Sequence, residues 1–429
     1  MLLLCAFAVA LKAQPDDPKE LLERVRDKLK ETIAGLPKYM CTLTVDRVQD
    51  DTGLAHRASS CDDLVARRDS ARLHLIVSDR LRLDVAIAEG NEIYSWVGED
   101  RFDDRDLFQL VREGPLQTGG FATFLKAIFE GTAATFTYNG DTTANGQTLA
   151  EFGFEAPKEK SGYVFGNRRV DAIVGFGGTF LADAQSFDLV QLTIRARDLP
   201  AAVGACEATT TLDYSRVLLN DSSFLLPSEA KLDIINRDGS EAHNRTVYSA
   251  CHEFLGESTV SFGEPLTVTA APGASAQSPA TFQIPANLPF KVTFTQAIDT
   301  AVAAAGDKIT GKLSTPIRDA ASNTILAPEG SPVTARILKL EHDAGSPPTL
   351  SMTVKLETLT LAGTVRSFTA SMSSGAKRFE KQPGLTRQVE LGSLGPAADK
   401  GSGVIEFRNA QENYVIKSGL QTAWTTLGP

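Results

Sequence analysis

The chain has 429 residues, of which 42% are hydrophobic and 22% charged, and carries a net charge of −10. That length allows two or three domains with substantial cores. The acidic balance, with no Lys/Arg cluster beyond the pairs Arg67-Arg68 and Arg168-Arg169, excludes a phosphate-backbone ligand, so no nucleic-acid partner is expected.

The first ten residues, MLLLCAFAVA, form an apolar run of signal-peptide length, too short to span a bilayer. Lys12-Ala13 and Gln14-Pro15-Asp16-Asp17 end it, and cleavage after Ala13 fits better than after Ala10, which leaves a very short apolar segment. No basic residue precedes the run, as a start codon placed too far downstream would explain, and Leu11 is not the small residue favoured before the cut. Residues 1–13 are therefore read as a signal peptide and the protein as periplasmic or secreted, with no transmembrane segment once the leader is removed.

One clear helix follows. Asp17 suits the N-cap, Pro18 the first turn and Glu20 a capping box, while Leu21, Leu22, Val25, Leu29, Ile33 and Leu36 form an apolar stripe that Gly35 and Pro37 end. Strands then dominate. Leu73, Leu75 and Val77, then Leu81, Leu83, Val85 and Ile87, alternate as in a half-buried antiparallel strand, and Glu89-Gly90-Asn91 turns into Ile93–Val97. Two helical pieces are expected near 104–112 and 120–129, followed by strands over 135–138, 148–154, 163–170, 187–195, 206–217, 224–235 and 245–254. Gly263–Ala280 holds Pro265, Pro272, Gly273 and Pro279 with a single charge, Glu264, and reads as a linker. Beyond it, short strands at 290–294, 325–327, 333–340, 350–361, 365–372, 404–407 and 414–416 suggest a small barrel or sandwich. The fold class is thus mainly β with a few helices: a curved antiparallel half-barrel packed on helices over 14–262, a linker over 263–280 and a small β-barrel or sandwich domain over 281–429.

With Cys5 in the leader, Cys41, Cys61, Cys206 and Cys251 remain, an even number with no C-x-x-C pair, which suits disulfides outside the cytoplasm. The turn signal Asp50-Asp51-Thr52-Gly53 lies midway between Cys41 and Cys61, so a hairpin there pairs those two. Turns at Asn220-Asp221 and Arg237–Gly239 make a three-strand meander with Cys206 and Cys251 near opposite ends, and a bulge or sheet closure would be needed to join them.

No catalytic constellation stands out, and no cofactor or metal is expected. His56, His74, His243, His252 and His342 form no helical ligand pair, and a strand sends His252 to the face opposite Cys251 and Glu253. Glu99, Asp100, Asp103, Asp104 and Asp106 are the densest acidic group, but Arg101 and Arg105 interleave, and an N-cap role explains the third or fourth carboxylate. Gly306–Lys312 has P-loop spacing with Leu313 in place of Ser/Thr, and Gly175-Phe176-Gly177-Gly178 lacks a following helix. The aromatic residues Tyr94, Trp96, Phe121, Phe124 and Phe129 belong in a core or line an apolar groove.

The helix at 17–36, the alternating strands between Leu73 and Ile87 and the helices between Asp104 and Phe129 resemble the organisation of the periplasmic lipoprotein-carrier (Lol-type) half-barrel superfamily. That resemblance implies a sheet wrapped around helices and an acyl chain or similar apolar ligand, and it transfers no ligand-binding residue. Tyr94–Asp100 and Leu225-Leu226-Pro227-Ser228 look like segments of uncharacterised exported proteins of soil bacteria. Ile284-Pro285, Gly306-Asp307 and Ile325–Ser331 leading into Val333–Arg336 are similar to the TrbI-like small β-barrel of secretion-channel proteins, which implies a shared module. The expected role is a non-catalytic envelope protein that binds a lipid, another apolar ligand or an envelope protein partner. The alternatives are a structural or assembly module acting through protein contacts, and a hydrolase using the acidic group at 99–106.

Overall fold

The computed structural model describes residues 17–54, 58, 60–88, 91–99, 102, 107–111, 113–144, 146–167, 170–253, 284–373, 377–382, 385–390 and 401–428. The leader over 1–13, the linker over 263–280, His56, Asp100 to Arg101 and Asp103 to Asp106 lie outside them. The chain is mainly antiparallel β, as its alternating patterns predict. Among the described residues no helix is long and apolar enough to cross a membrane.

Two compact units interleave along the chain. The first holds helix α1 (Pro18–Gly35), residues 119–203 and residues 209–228. The second holds residues 37–118, 204–208 and 229 onward, so strands from both the expected 14–262 and 281–429 stretches lie in it.

In the first unit, Asp17 caps α1 by accepting the Lys19 amide at 3.1 Å, and Pro18 opens the first turn. Leu21, Val25 and Leu29 are buried, as the stripe predicts. Glu20 pairs with Arg24, four residues on, at 2.6 Å. Strands β4 (Thr135–Ala144), β5 (Gln147–Ala156), β6 (Gly175–Asp183) and β7 (Leu189–Arg197) run as an antiparallel meander, and the first part of β8 (Ala205–Leu219) pairs with β7. Period-two alternation on β5 buries Ala150, Phe152, Phe154 and Ala156 on one face. The glycine run Gly175-Phe176-Gly177-Gly178 opens strand β6. A Cβ on Gly178 would overlap the Thr193 carbonyl oxygen, so the glycine permits close strand approach.

In the second unit, β1 (Tyr39–Asp51) lies between β2 (His74–Ala88) and β10 (Ser240–Glu253); β2 continues to β3 (Asn91–Trp96), and β10 to the end of β9 (Ser222–Asn236). The turns expected near Asn220 and Gly239 join β8 to β9 and β9 to β10, with φ of 52° and 80° at those two residues.

The Cys41–Cys61 pairing expected from the Asp50–Gly53 turn is corrected by the structure, which joins Cys41 to Cys251 and Cys61 to Cys206. Among the described residues no strand returns directly after that turn. Ser60 accepts the Asp63 amide and starts helix α2 (Cys61–Arg67), so the chain pairs back on β1 only from His74. The register shift between Met40 and Thr42 marks a bulge at Ala250 and Cys251, opposite Cys41, and the Cα atoms of Cys41 and Cys251 lie 4.1 Å apart. Cys206 and Cys251, which the meander puts near opposite ends, thus find separate partners in Cys61 and Cys41.

The C-terminal strands of the second unit are β11 (Pro289–Phe294), β12 (Lys308–Leu313), β13 (Pro332–Asp343), β14 (Thr349–Leu361), β15 (Ser402–Arg408) and β16 (Gln421–Thr426). They pair antiparallel in the order β16, β11, β12, β13, β14, β15, and alternate residues such as Phe290, Val292, Phe294, Ile309, Ile337 and Trp424 fill one core. Glu341–Asp343 at the end of β13 pair with Val77–Asp79 of β2. Residues 304–306 run beside Arg80–Arg82: the Arg82 amide donates to the Ala305 carbonyl at 2.7 Å, and the Ala305 amide to the Arg80 carbonyl at 2.8 Å. The P-loop-like spacing at Gly306–Lys312 is therefore a turn into a strand.

Candidate functional site

The aromatic residues singled out in sequence are all buried, but they divide between the units: Phe121, Phe124 and Phe129 belong to the first, Tyr94 and Trp96 to the second. In the first unit a short helical turn at Thr123–Leu125 widens into Lys126–Glu130 and turns Phe124, Ile128 and Phe129 inward. Phe129 meets Phe180 edge-on at 5.0 Å between ring centroids and stacks on Phe136 at 6.1 Å. Phe152 stacks on Phe180 at 5.1 Å. A second run links Phe124 to Tyr163 at 5.7 Å, Tyr163 to Phe176 at 5.9 Å and Phe176 to Phe154 at 6.2 Å. Burial in these apolar surroundings pushes the Tyr163 phenol up to about 12. Sequence reading missed Phe136, Phe152, Phe154, Tyr163, Phe176 and Phe180 as members, although the alternation on β5 exposes the pattern.

Two polar ties cross this aromatic layer. Arg26 of α1 donates from Nε to the Phe129 carbonyl at 3.1 Å, and its guanidinium lies 5.6 Å from the centroid of the Phe136 ring. Arg24 lies 5.3 Å from the centroid of the Phe187 ring. The layer is thus an apolar interior between one helix, one helical segment and a sheet face, tied at the helix by arginines.

In the second unit Tyr94 donates to Glu92 at 2.6 Å. Burial, reinforced by the Glu92 carboxylate, pushes the phenols of Tyr39, Tyr94 and Tyr248 up, so all three stay protonated at neutral pH. Glu99, from the expected acidic group, pairs with Arg336 at 2.8 Å. Arg336 is 0% exposed and also reaches Glu357 at 2.6 Å and the carbonyls of Val97 and Gly306 at 2.9 and 2.7 Å. Arg47 is buried against Asp79 and the Glu113 carbonyl. These arginines hold architecture together, and Glu99 is engaged as a countercharge.

Among the described residues no group of three or more His, Cys, Asp or Glu is placed to hold a metal ion. His252 contacts its own strand's Ala250 carbonyl at 2.9 Å, and His342 the Ala410 carbonyl at 3.0 Å. His243 is different, since it contacts two carboxylates.

No family model and no curated protein matches the chain. Solved structures similar to it include a domain described as an outer membrane lipoprotein-sorting protein domain from Vibrio parahaemolyticus, at 12% identity and a TM-score of 0.28, covering 56% of this chain and 94% of that one. A DUF1329 family protein from Desulfovibrio piger aligns at 7% identity and a TM-score of 0.29, covering 58% and 98%. A LolA superfamily protein from Nitrosomonas europaea aligns at 8% identity and a TM-score of 0.25, covering 54% and 93%. These neighbours include the superfamily that the resemblance in the first half named. Similarity at this level assigns no ligand to the chain.

Proposed function

We propose that the protein is an exported, non-catalytic envelope protein whose first unit takes up an apolar ligand, an acyl chain or lipid, between its aromatic sheet face and the covering helical segments. The observation that carries this reading is the aromatic layer running from Phe124 through Phe154 and from Phe129 through Phe152, with α1 tied to it by Arg26. Apolar sites of this kind are lined by hydrophobic and aromatic side chains with few polar groups. Two disulfides and the apolar leader support an oxidising compartment outside the cytoplasm. The test is native mass spectrometry and organic extraction of the purified full chain, with uptake of a solvatochromic apolar dye. Extractable lipid or saturable dye binding that Phe129→Asp weakens without unfolding the chain is the expected result. A ligand-free protein that takes up no dye overturns the reading.

One observation favours a second reading. Phe129, Phe152 and Phe180 are almost fully buried against one another, as in a filled core. A structural or assembly module acting through an envelope protein partner would show that packing. It predicts a defined complex on cross-linking in the envelope and no extractable ligand, and lipid stoichiometrically bound to the protein would sink it.

A further inference from the structure

A compact ionic cluster in the second unit is used by neither reading. His243 on β10 sits between two carboxylates: Nδ1 is 2.6 Å from Asp233 on β9, and Nε2 is 3.3 Å from Glu241 on its own strand. Glu241 is only 2% exposed and also accepts from Arg68 Nε at 3.1 Å. Arg68 follows α2, whose first residue, Cys61, is bridged to Cys206 on β8. On the remaining side, β1 presents Val48 opposite His243 and the buried Asp50 opposite Glu241. Lys231, two residues before Asp233, adds the nearest further positive charge on β9.

We propose that Asp233, His243, Glu241 and Arg68 form a proton-operated clamp that joins β9, β10 and the α2 turn when His243 is protonated and loosens them when it is neutral. With the imidazole charged, two cations face Asp233 and Glu241. Loss of that proton leaves only Arg68, bonded to Glu241, and the charge of Lys231 near Asp233, with the buried Asp50 adding a third carboxylate at Glu241. An uncompensated buried carboxylate is costly, so the strands and the turn separate more readily. The hydrogen bond that His243 donates to Asp233, above all, holds the His243 pKa up, and His243 in turn holds Asp233 below its usual range. The sign follows from the raised value: this stabilisation is complete below the ordinary imidazole value of about 6.5 and is lost as pH rises through the higher folded-state value. An exported protein meets the pH of its surroundings directly, so the clamp makes this region responsive to it.

The test combines NMR titration of the five histidines with hydrogen exchange in the full chain between pH 5.5 and 8.5. His243 is expected to titrate above the ordinary imidazole value of about 6.5, and Asp233→Asn to lower its midpoint. After correction for intrinsic chemistry, protection of the 240–247 amides should fall about tenfold per pH unit between the ordinary and the raised midpoints. His243→Gln should abolish that dependence; if it does not fold, Asp233→Asn alone should shift the dependence to lower pH. A His243 midpoint at or below the ordinary imidazole value of about 6.5, or protection that does not change with pH, overturns the proposal.

Discussion

Arg336 is the most deeply buried charged side chain among the described residues. Its guanidinium meets Glu357 and Glu99 and two backbone carbonyls while being 0% exposed. Removing one partner of a buried ionic group leaves the others uncompensated, which typically costs about 3–5 kcal/mol. Arg336→Ala should therefore lower the urea-unfolding free energy by that order, and Arg336→Lys should recover only part of it because an ammonium lacks the planar fork. Gly306, whose carbonyl oxygen accepts from Arg336, has φ of 107°, and a Cβ there would overlap the Arg82 carbonyl oxygen. Gly306→Ala is expected to cost roughly 2 kcal/mol or more, measured in the same unfolding experiment. The strand containing Arg336 was legible from its alternating pattern. The burial of Arg336 was not, because its partners lie near positions 97, 306 and 357, and no local pattern links those positions.

At the scale of elements, what the sequence revealed and what it hid separate by range. The strands over 39–51, 175–183 and 308–313 are not among those expected from alternation, whereas the α1 stripe, the Asn220 and Gly239 turns and the strands over 222–236 and 240–253 follow local rules of period and cap and appear where expected. The disulfides do not, because their pairing depends on α2 replacing a strand and on the bulge opposite Cys41. Of the helix predicted over 104–112, the described residues show Leu107–Leu110 as helical. The bridges close separations of 210 and 145 residues, and removing a long-loop disulfide costs about 2–5 kcal/mol. Non-reducing peptide mapping should return Cys41 joined to Cys251 and Cys61 joined to Cys206. A peptide joining Cys41 to Cys61 would contradict the strand register. Cys61→Ser with Cys206→Ser should lower the melting temperature measurably while leaving the β-rich circular dichroism spectrum in place.

At the scale of the whole molecule, the two ends of the second unit are held together by more than chain continuity. Arg80 reaches the Ala301 carbonyl and Arg82 pairs with Asp307, while Lys308 donates to the Gly98 carbonyl at 2.7 Å and Lys339 pairs with Glu113 at 2.6 Å. Together with the β2–β13 ladder and Arg336, these contacts tie residues 74–113 to residues 301–343. Composition alone marks 263–280 as a linker because Pro, Gly, Ala and Ser there cannot bury a core, but composition says nothing about which strands pair across it. The hydrogen bonds and ion pairs decide that, and they make the β1–β3 sheet and the C-terminal strands one cooperative body. A chain carrying an engineered protease site between residues 263 and 280 should therefore stay associated after complete cutting, with both fragments eluting together by size exclusion and separating only in denaturant. Arg336→Ala should lower the denaturant needed for separation. Fragments that part at once without denaturant would show that these polar ties do not hold the unit together, because the buried networks are the groups whose exposure would oppose separation most strongly.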